Sequence, residues 1–168
     1  MKKSTVDRIW DLMRLRHGVG LRCVEALPAD QIDSRPVRDM RTPKELVVHM
    51  YSFTRSAAES LLTGSLTHDE KPELAGIRTK QDLVAFADQS WRAADAAIAN
   101  VTDAQLGSPV KVPWGAEMKA SDLFGWIPEE YLHHRGQLYA FLRQLGVKPP
   151  ENFDFEGSAP EYQPKLHA

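Results

Sequence analysis

Four stretches of this chain repeat their apolar residues at steps of three, four or seven, the spacing that puts them on one face of a helix. The first runs from about Thr5 to Leu27, aligns Val6, Ile9, Met13, Gly20, Cys23 and Leu27, and meets Pro28 at its end. The second opens on Thr42-Pro43-Lys44-Glu45, a capping box with proline at the first helical position. Thr and Glu side chains there satisfy exposed backbone donors, and proline has none to satisfy. This helix continues through Leu46, His49, Met50, Phe53 and Ala57 to Leu62, and Gly64 closes it. The third starts at Thr79-Lys80-Gln81-Asp82, a weaker cap of the same kind, and carries Leu83, Phe86, Ser90, Ala94, Ala97, Ile98 and Val101. The fourth begins near Ser121 and reaches Leu145, with Gly146 as its stop and Pro149-Pro150 beyond. One-faced helices bury their stripes against each other, so the expected fold is all-α, a four-helix bundle.

The links between these helices are long for a minimal bundle. Segments 28–41 and 65–78 are polar and broken by Pro36, Pro72 and Gly76. Segment 102–120 holds Val110 and Val112 in alternation, followed by Trp114-Gly115, which suggests a short β-hairpin before the last helix. Links of this length cross over a bundle or line a site. The bundle domain is expected over residues 1–150. Residues 151–168, rich in proline and without periodicity, read as an extended tail that packs through Phe153 and Phe155. A chain of 168 residues is long enough for one core without staples.

Charge narrows the partners. Lys and Arg total 21 against 23 Asp and Glu, with no block of one sign, so neither nucleic acid nor an anionic membrane is indicated. No apolar run approaches the ~18 residues of a membrane span, and no signal-peptide segment follows the N-terminal lysines. The cytoplasm is the expected location. The single cysteine, Cys23, excludes an intrachain disulfide and a cysteine-based zinc cluster, and its place in a core stripe marks it as a small buried residue.

Three polar residues interrupt the apolar stripes. In the fourth helix the stripe reads Leu123, Ile127, Glu130, His134, Leu138, Phe141, Leu145, so Glu130 and His134 share the face of the leucines. A carboxylate inside a bundle costs several kcal/mol unless its charge is compensated, and a cation compensates it. Residues at i and i+4 lie about 5–6 Å apart, close enough to share one ion. His49, on the apolar face of the second helix, can supply a third ligand. Two imidazoles and one carboxylate with open positions is a donor set of catalytic zinc sites and of some iron sites. The competing reading starts a helix at Pro128, with Glu129 and Glu130 as solvated charges at its positive end. Gln137 lies near the phase of His134 and can hydrogen-bond it, whereas His133 points about 100° away, as a surface or supporting group. His17 is a weaker outside candidate; His68 and His167, in polar loop and tail, read as solvated.

The terminal segment HHRGQLYAFLRQLGVKPP resembles the last helix of the DinB/YfiT-like superfamily of small metal-dependent proteins. RTPKELVVHMYSFTR resembles that family's capped helix bearing its first metal histidine, and LPADQIDSRPV its usual link after the first helix. The resemblance covers about residues 6–150. It implies an up-down-down-up four-helix bundle holding one divalent metal, zinc or nickel first, with iron or manganese as harder alternatives. The family's usual ligands are one histidine from the second helix and an H-x-x-x-H pair from the fourth. His49 and His134 match the first and last; Glu130 stands where the commoner pattern has histidine, which favours a harder metal or none. The resemblance also implies transfer of a low-molecular-weight thiol, such as bacillithiol or mycothiol, to a small-molecule electrophile. Metal-dependent hydrolysis and a non-catalytic metal- or ligand-binding stress-response module are the alternatives, and the catalytic residues are unassigned. The tail serves a homodimer contact as readily as a lid.

Overall fold

The computed structural model describes residues 1–164. His167 lies outside the described residues. Four long helices dominate: α1 (Lys3–Glu25), α2 (Pro43–Thr63), α4 (Lys80–Asn100) and α6 (Ala120–Gln144). Two short ones fill the links, α3 (Lys71–Gly76) and α5 (Asp103–Gly107), and a small antiparallel pair, β1 (Pro109–Lys111) and β2 (Glu117–Lys119), precedes α6. The all-α expectation therefore holds with a minor sheet, and the hairpin falls where Val110 and Val112 alternate. No helix of the described residues is long and apolar enough to cross a membrane.

The caps form as the local sequence dictates. Thr42 accepts from the Glu45 backbone N–H at 3.1 Å, and Glu45 returns the bond to the Thr42 N–H at 2.7 Å. Thr79 and Asp82 make the same reciprocal pair at the start of α4, and Thr102 with Gln105 at α5. Gly64 ends α2 in the left-handed region, with φ 75°, where a Cβ would be strained. Pro128 lies inside the continuous α6 instead of starting a helix, so Ile127-Pro128-Glu129-Glu130 is not a helix start.

Helix α2 packs against α4 and α6, and α1 packs against the same two. Their stripes meet in one aromatic column. Trp91 of α4 is stacked between Trp10 and His17 of α1, with ring centroids at 4.7 and 4.3 Å. His17 Nδ1 lies 3.1 Å from Tyr51 Oη of α2, and Tyr51 Oη lies 3.2 Å from Tyr131 Oη of α6. Helices α1, α2 and α6 thus share a single buried polar thread, and α4 stacks Trp91 against it. Cys23 is fully buried beside it, as expected, and burial pushes its thiol up to about 11.

The connections serve the far end of α2. Lys111 of β1 donates its N–H to Gly64 O at 2.9 Å and accepts from Leu66 N–H at 2.8 Å, so the hairpin clamps the segment that leaves α2. The C-terminal segment departs from expectation. Phe153 is 77% exposed and Phe155 half-buried; Tyr162, in a turn at Pro160–Tyr162, is the buried anchor. Its hydroxyl donates to Asp88 at 2.7 Å, and Arg22 holds Asp154 at 2.7 Å. A phenol that both buries its ring and finds an acceptor anchors better than Phe153, whose ring stays at the surface.

Two outcomes test this core. A Cβ at Gly20 would stand 2.2 Å from Tyr131 Oη, so Gly20→Ala should cost about 1–3 kcal/mol in urea unfolding. Adding Tyr131→Phe, which removes the oxygen, should recover part of that loss. His17 is wholly buried, and desolvation, only partly opposed by Asp88, lowers its pKa from 6.5 to about 3. The unfolded chain therefore binds a proton that the folded chain refuses as pH falls from 6.5 toward 3. Stability is full above that window and should fall across it by ~1.4 kcal/mol per pH unit, a slope that His17→Gln should flatten in pH-dependent unfolding.

Candidate metal centre

Helix α2 carries His49 two residues before Tyr51, and α6 carries Glu130 and His134 on either side of Tyr131. The Tyr51–Tyr131 contact that joins the two helices therefore also brings these three side chains together. One ligand atom from each lies within 4.8 Å of the others. The His49 and His134 rings meet edge to face with centroids at 4.6 Å. His134 is nearly buried, with 11% of its side chain exposed, whereas the Glu130 carboxylate at 43% sits at the rim. Glu130 lies on the side of α6 that carries His134, but its long side chain carries the charge toward water, so the expected buried carboxylate is not found.

Hydrogen bonds define the imidazole orientations. Gln137 Oε1 lies 2.9 Å from His134 Nδ1, so that nitrogen is the donor. Gln137 Nε2 in turn faces His133 Nε2 at 3.1 Å, which leaves His133 an exposed end of the chain. His134 Nε2 then faces Glu130 Oε2 at 3.1 Å. A neutral His134 would present a lone pair to a carboxylate there. The contact is favourable with a proton between the two atoms, or with a cation bound by both.

His49 is oriented the same way from the other side. Its Nδ1 hydrogen-bonds Glu70 Oε1, leaving Nε2 free. Glu70 Oε1 also accepts from His68 Nε2 at 3.0 Å, and Arg41 donates to Glu70 Oε2 at 3.0 Å. Burial lowers the His49 pKa; the Glu70 bond opposes this without cancelling it. Burial alone would raise the Glu70 carboxyl, but bonds from His49 and His68 and the Arg41 charge outweigh it and hold it below the usual carboxylate range. His49 therefore stays neutral and Glu70 ionised near pH 7, the states that a metal ligand and its carboxylate partner require.

His68 corrects the sequence-based expectation of a solvated loop residue. It is half-buried, its ring lies 5.7 Å from that of His49, and its Nδ1 is buried without a partner among the described residues. The reason is α3, which folds against α2 and, with the hairpin clamp, draws the polar link inward. His49, His68 and Glu70 form a second group whose ligand atoms converge within 4.8 Å. It shares His49, and both Glu70 oxygens are already engaged. His17, the outside candidate, belongs to the aromatic column and to neither group.

The sequence profile of the DinB superfamily matches residues 19–138, which span the end of the first long helix, the second and third in full, and most of the last. The chain belongs to the DinB superfamily. A DinB-like protein from Bacillus subtilis shares its fold, with TM-score 0.67 and 20% identity over 82% of this chain and 91% of that one. A protein from Exiguobacterium sibiricum assigned to the DinB family superposes with TM-score 0.62 at 24% identity, over 86% of this chain and 97% of the other. At such identities the likeness speaks for the fold alone. No curated protein is detectably similar to the chain.

Within this DinB-superfamily chain, Glu70 and Arg41 are the site residues that sequence reasoning missed. The faint signal was the run His68-Asp69-Glu70, acid and imidazole close together in a link too long for a simple turn. In metal-free protein Glu70→Gln removes the interaction that raises the His49 pKa and frees Arg41 to lower it. The His49 pKa should fall further, as read by NMR titration of the imidazole carbons.

Proposed function

We propose that this chain is a metal-dependent enzyme that binds one divalent cation through His49, Glu130 and His134 and transfers a low-molecular-weight thiol to a small electrophile. One observation carries the metal assignment. Both histidines commit Nδ1 to an acceptor, Glu70 for His49 and Gln137 for His134, and so keep Nε2 available beside the Glu130 carboxylate. The 3.1 Å between His134 Nε2 and Glu130 Oε2 is close to the spacing of two ligands in a tetrahedral shell, about 3.3 Å for bonds of ~2.0–2.1 Å. Two imidazoles and an oxygen suit zinc, nickel or iron, and manganese less well. The four long helices are read as an up-down-down-up bundle, with α1 and α2 on opposite corners.

A cation at this position would supply the charge that lets a thiol lose its proton near neutral pH. The chain's own residues do the rest. Glu70 and Gln137 hold the two imidazoles in the productive tautomer. Glu130 at the rim leaves the site open on one side. A cleft of about 530 Å³, bounded by Arg55, Thr67, His68 and Pro113, adjoins the cluster through His68 and offers a small substrate a route. Cys23 supplies no competing sulfur, because it is buried and held protonated. Among enzymes, hydrolysis ranks second. It needs a free general base, and the nearest carboxylate, Glu70, is weakened as a base by its three partners.

Elemental analysis of protein purified without added metal should give about one divalent ion per chain, and His49→Ala, Glu130→Ala and His134→Ala should each abolish it. Glu70→Gln should weaken metal affinity about 10–100-fold. A conjugation screen with bacillithiol and mycothiol should then give turnover that disappears in His134→Ala. Substoichiometric metal after reconstitution rejects the site. Metal without turnover, accompanied only by a ligand-dependent melting shift, identifies a binding module instead.

A further inference from the structure

The second chemically distinctive place in the molecule lies across α6 from the metal candidates. Leu132, Arg135, Tyr139 and Arg143 follow one another at steps of three or four, and at about 100° per residue they face roughly away from Glu130 and His134. Together with Arg16 of α1 and segment 146–153 they line a cleft of about 980 Å³. That is the size of a small-molecule site and far larger than a simple ion needs.

Its charge is unbalanced. Arg135 is only 7% exposed, yet its bonds go to neutral acceptors, the Arg16 carbonyl at 3.3 Å and Asn152 Oδ1 at 2.6 Å. Arg16 and Arg143 make no ion pair among the described residues, and the one acid on the cleft, Glu151, pairs with Lys148 at 3.4 Å. Elsewhere the chain pairs its buried and half-buried arginines: Arg14 with Asp95, Arg22 with Asp154 and Arg55 with Glu73. A buried guanidinium without a counter-charge is costly, and an anion brought from outside removes that cost. The walls are apolar. Arg135 and Arg143 both lie over the Tyr139 ring, at 5.9 and 5.8 Å, with Leu132, Val147 and the exposed Phe153 beside them.

We infer that this cleft binds a small organic anion, a carboxylate or phosphate ester, with its charged group on Arg135, Arg16 and Arg143 and its apolar body against Tyr139 and Phe153. Guanidinium forks match both oxyanions, and the aromatic wall selects an organic body over a bare ion. The inference is independent of the metal assignment.

Isothermal titration calorimetry with four probes tests it: phenylacetate, phenyl phosphate, inorganic phosphate and the neutral isostere phenylacetamide. Phenylacetate, phenyl phosphate or both should bind, and which of them binds tells carboxylate from phosphate ligands. Inorganic phosphate and phenylacetamide should bind at least about tenfold more weakly. The Arg16→Gln/Arg143→Gln double variant, whose changes lie outside the core, should weaken the organic anion about tenfold or more, and His134→Ala should leave it unchanged. The proposal is overturned if neither organic anion binds, or if the amide or inorganic phosphate binds as well as they do. It is equally overturned if binding survives the arginine changes undiminished, or is lost in His134→Ala.

Discussion

Two phenol oxygens 3.2 Å apart, those of Tyr51 and Tyr131, hold the rest of the structure in register. They lie at the centre of the four long helices, with His17 on one side and the stacked tryptophans beyond. The fully buried hydroxyls must pair or cost their full desolvation, so α2 cannot slide along α6 without breaking the thread. His49 is two residues from one tyrosine and Glu130 is adjacent to the other. Core registry and site geometry are therefore one constraint. The same constraint dictates Gly20, the residue on α1 that leaves room for the Tyr131 hydroxyl.

The site has an inner and an outer half of different origin. The half that includes the inner His134, with Glu130 at the rim and Gln137, is built within α6, where spacing along the helix sets the geometry. The outer half arises where α2 meets a link. Glu70, braced by Arg41, turns His49, and the hairpin clamp with α3 places Glu70. Mutations in the β-hairpin, remote in sequence from α2, would act on the orientation of His49 through that link.

Much of this was legible in the sequence, for physical reasons that differ by element. Thr42 to Glu45 announces α2 because capping is a bargain among four neighbouring residues and needs no tertiary information. The convergence of His49, Glu130 and His134 was legible from helical phase, although Glu130 reaches the rim and not the interior. Pro128 was ambiguous because a proline can start a helix or be tolerated within one, and the packing of Leu123 and Phe124 ahead of it decides for the second. His68 and Glu70 were not legible. Their segment has no period, and what draws it inward is a bond network to Lys111, more than forty positions away. Phe153 misled because hydrophobicity alone does not bury a ring; Tyr162 is buried and its hydroxyl finds Asp88.

The proposed thiol transfer would bring electrophiles to the chain, which must not become their target. Cys23 is sealed between helices, with its thiol held protonated by burial. The one thiol in the sequence is thus closed to alkylating agents and to oxidants while the fold is intact. The fold keeps its own thiol out of reach, so the nucleophile of the proposed reaction would have to come from a molecule that enters the site.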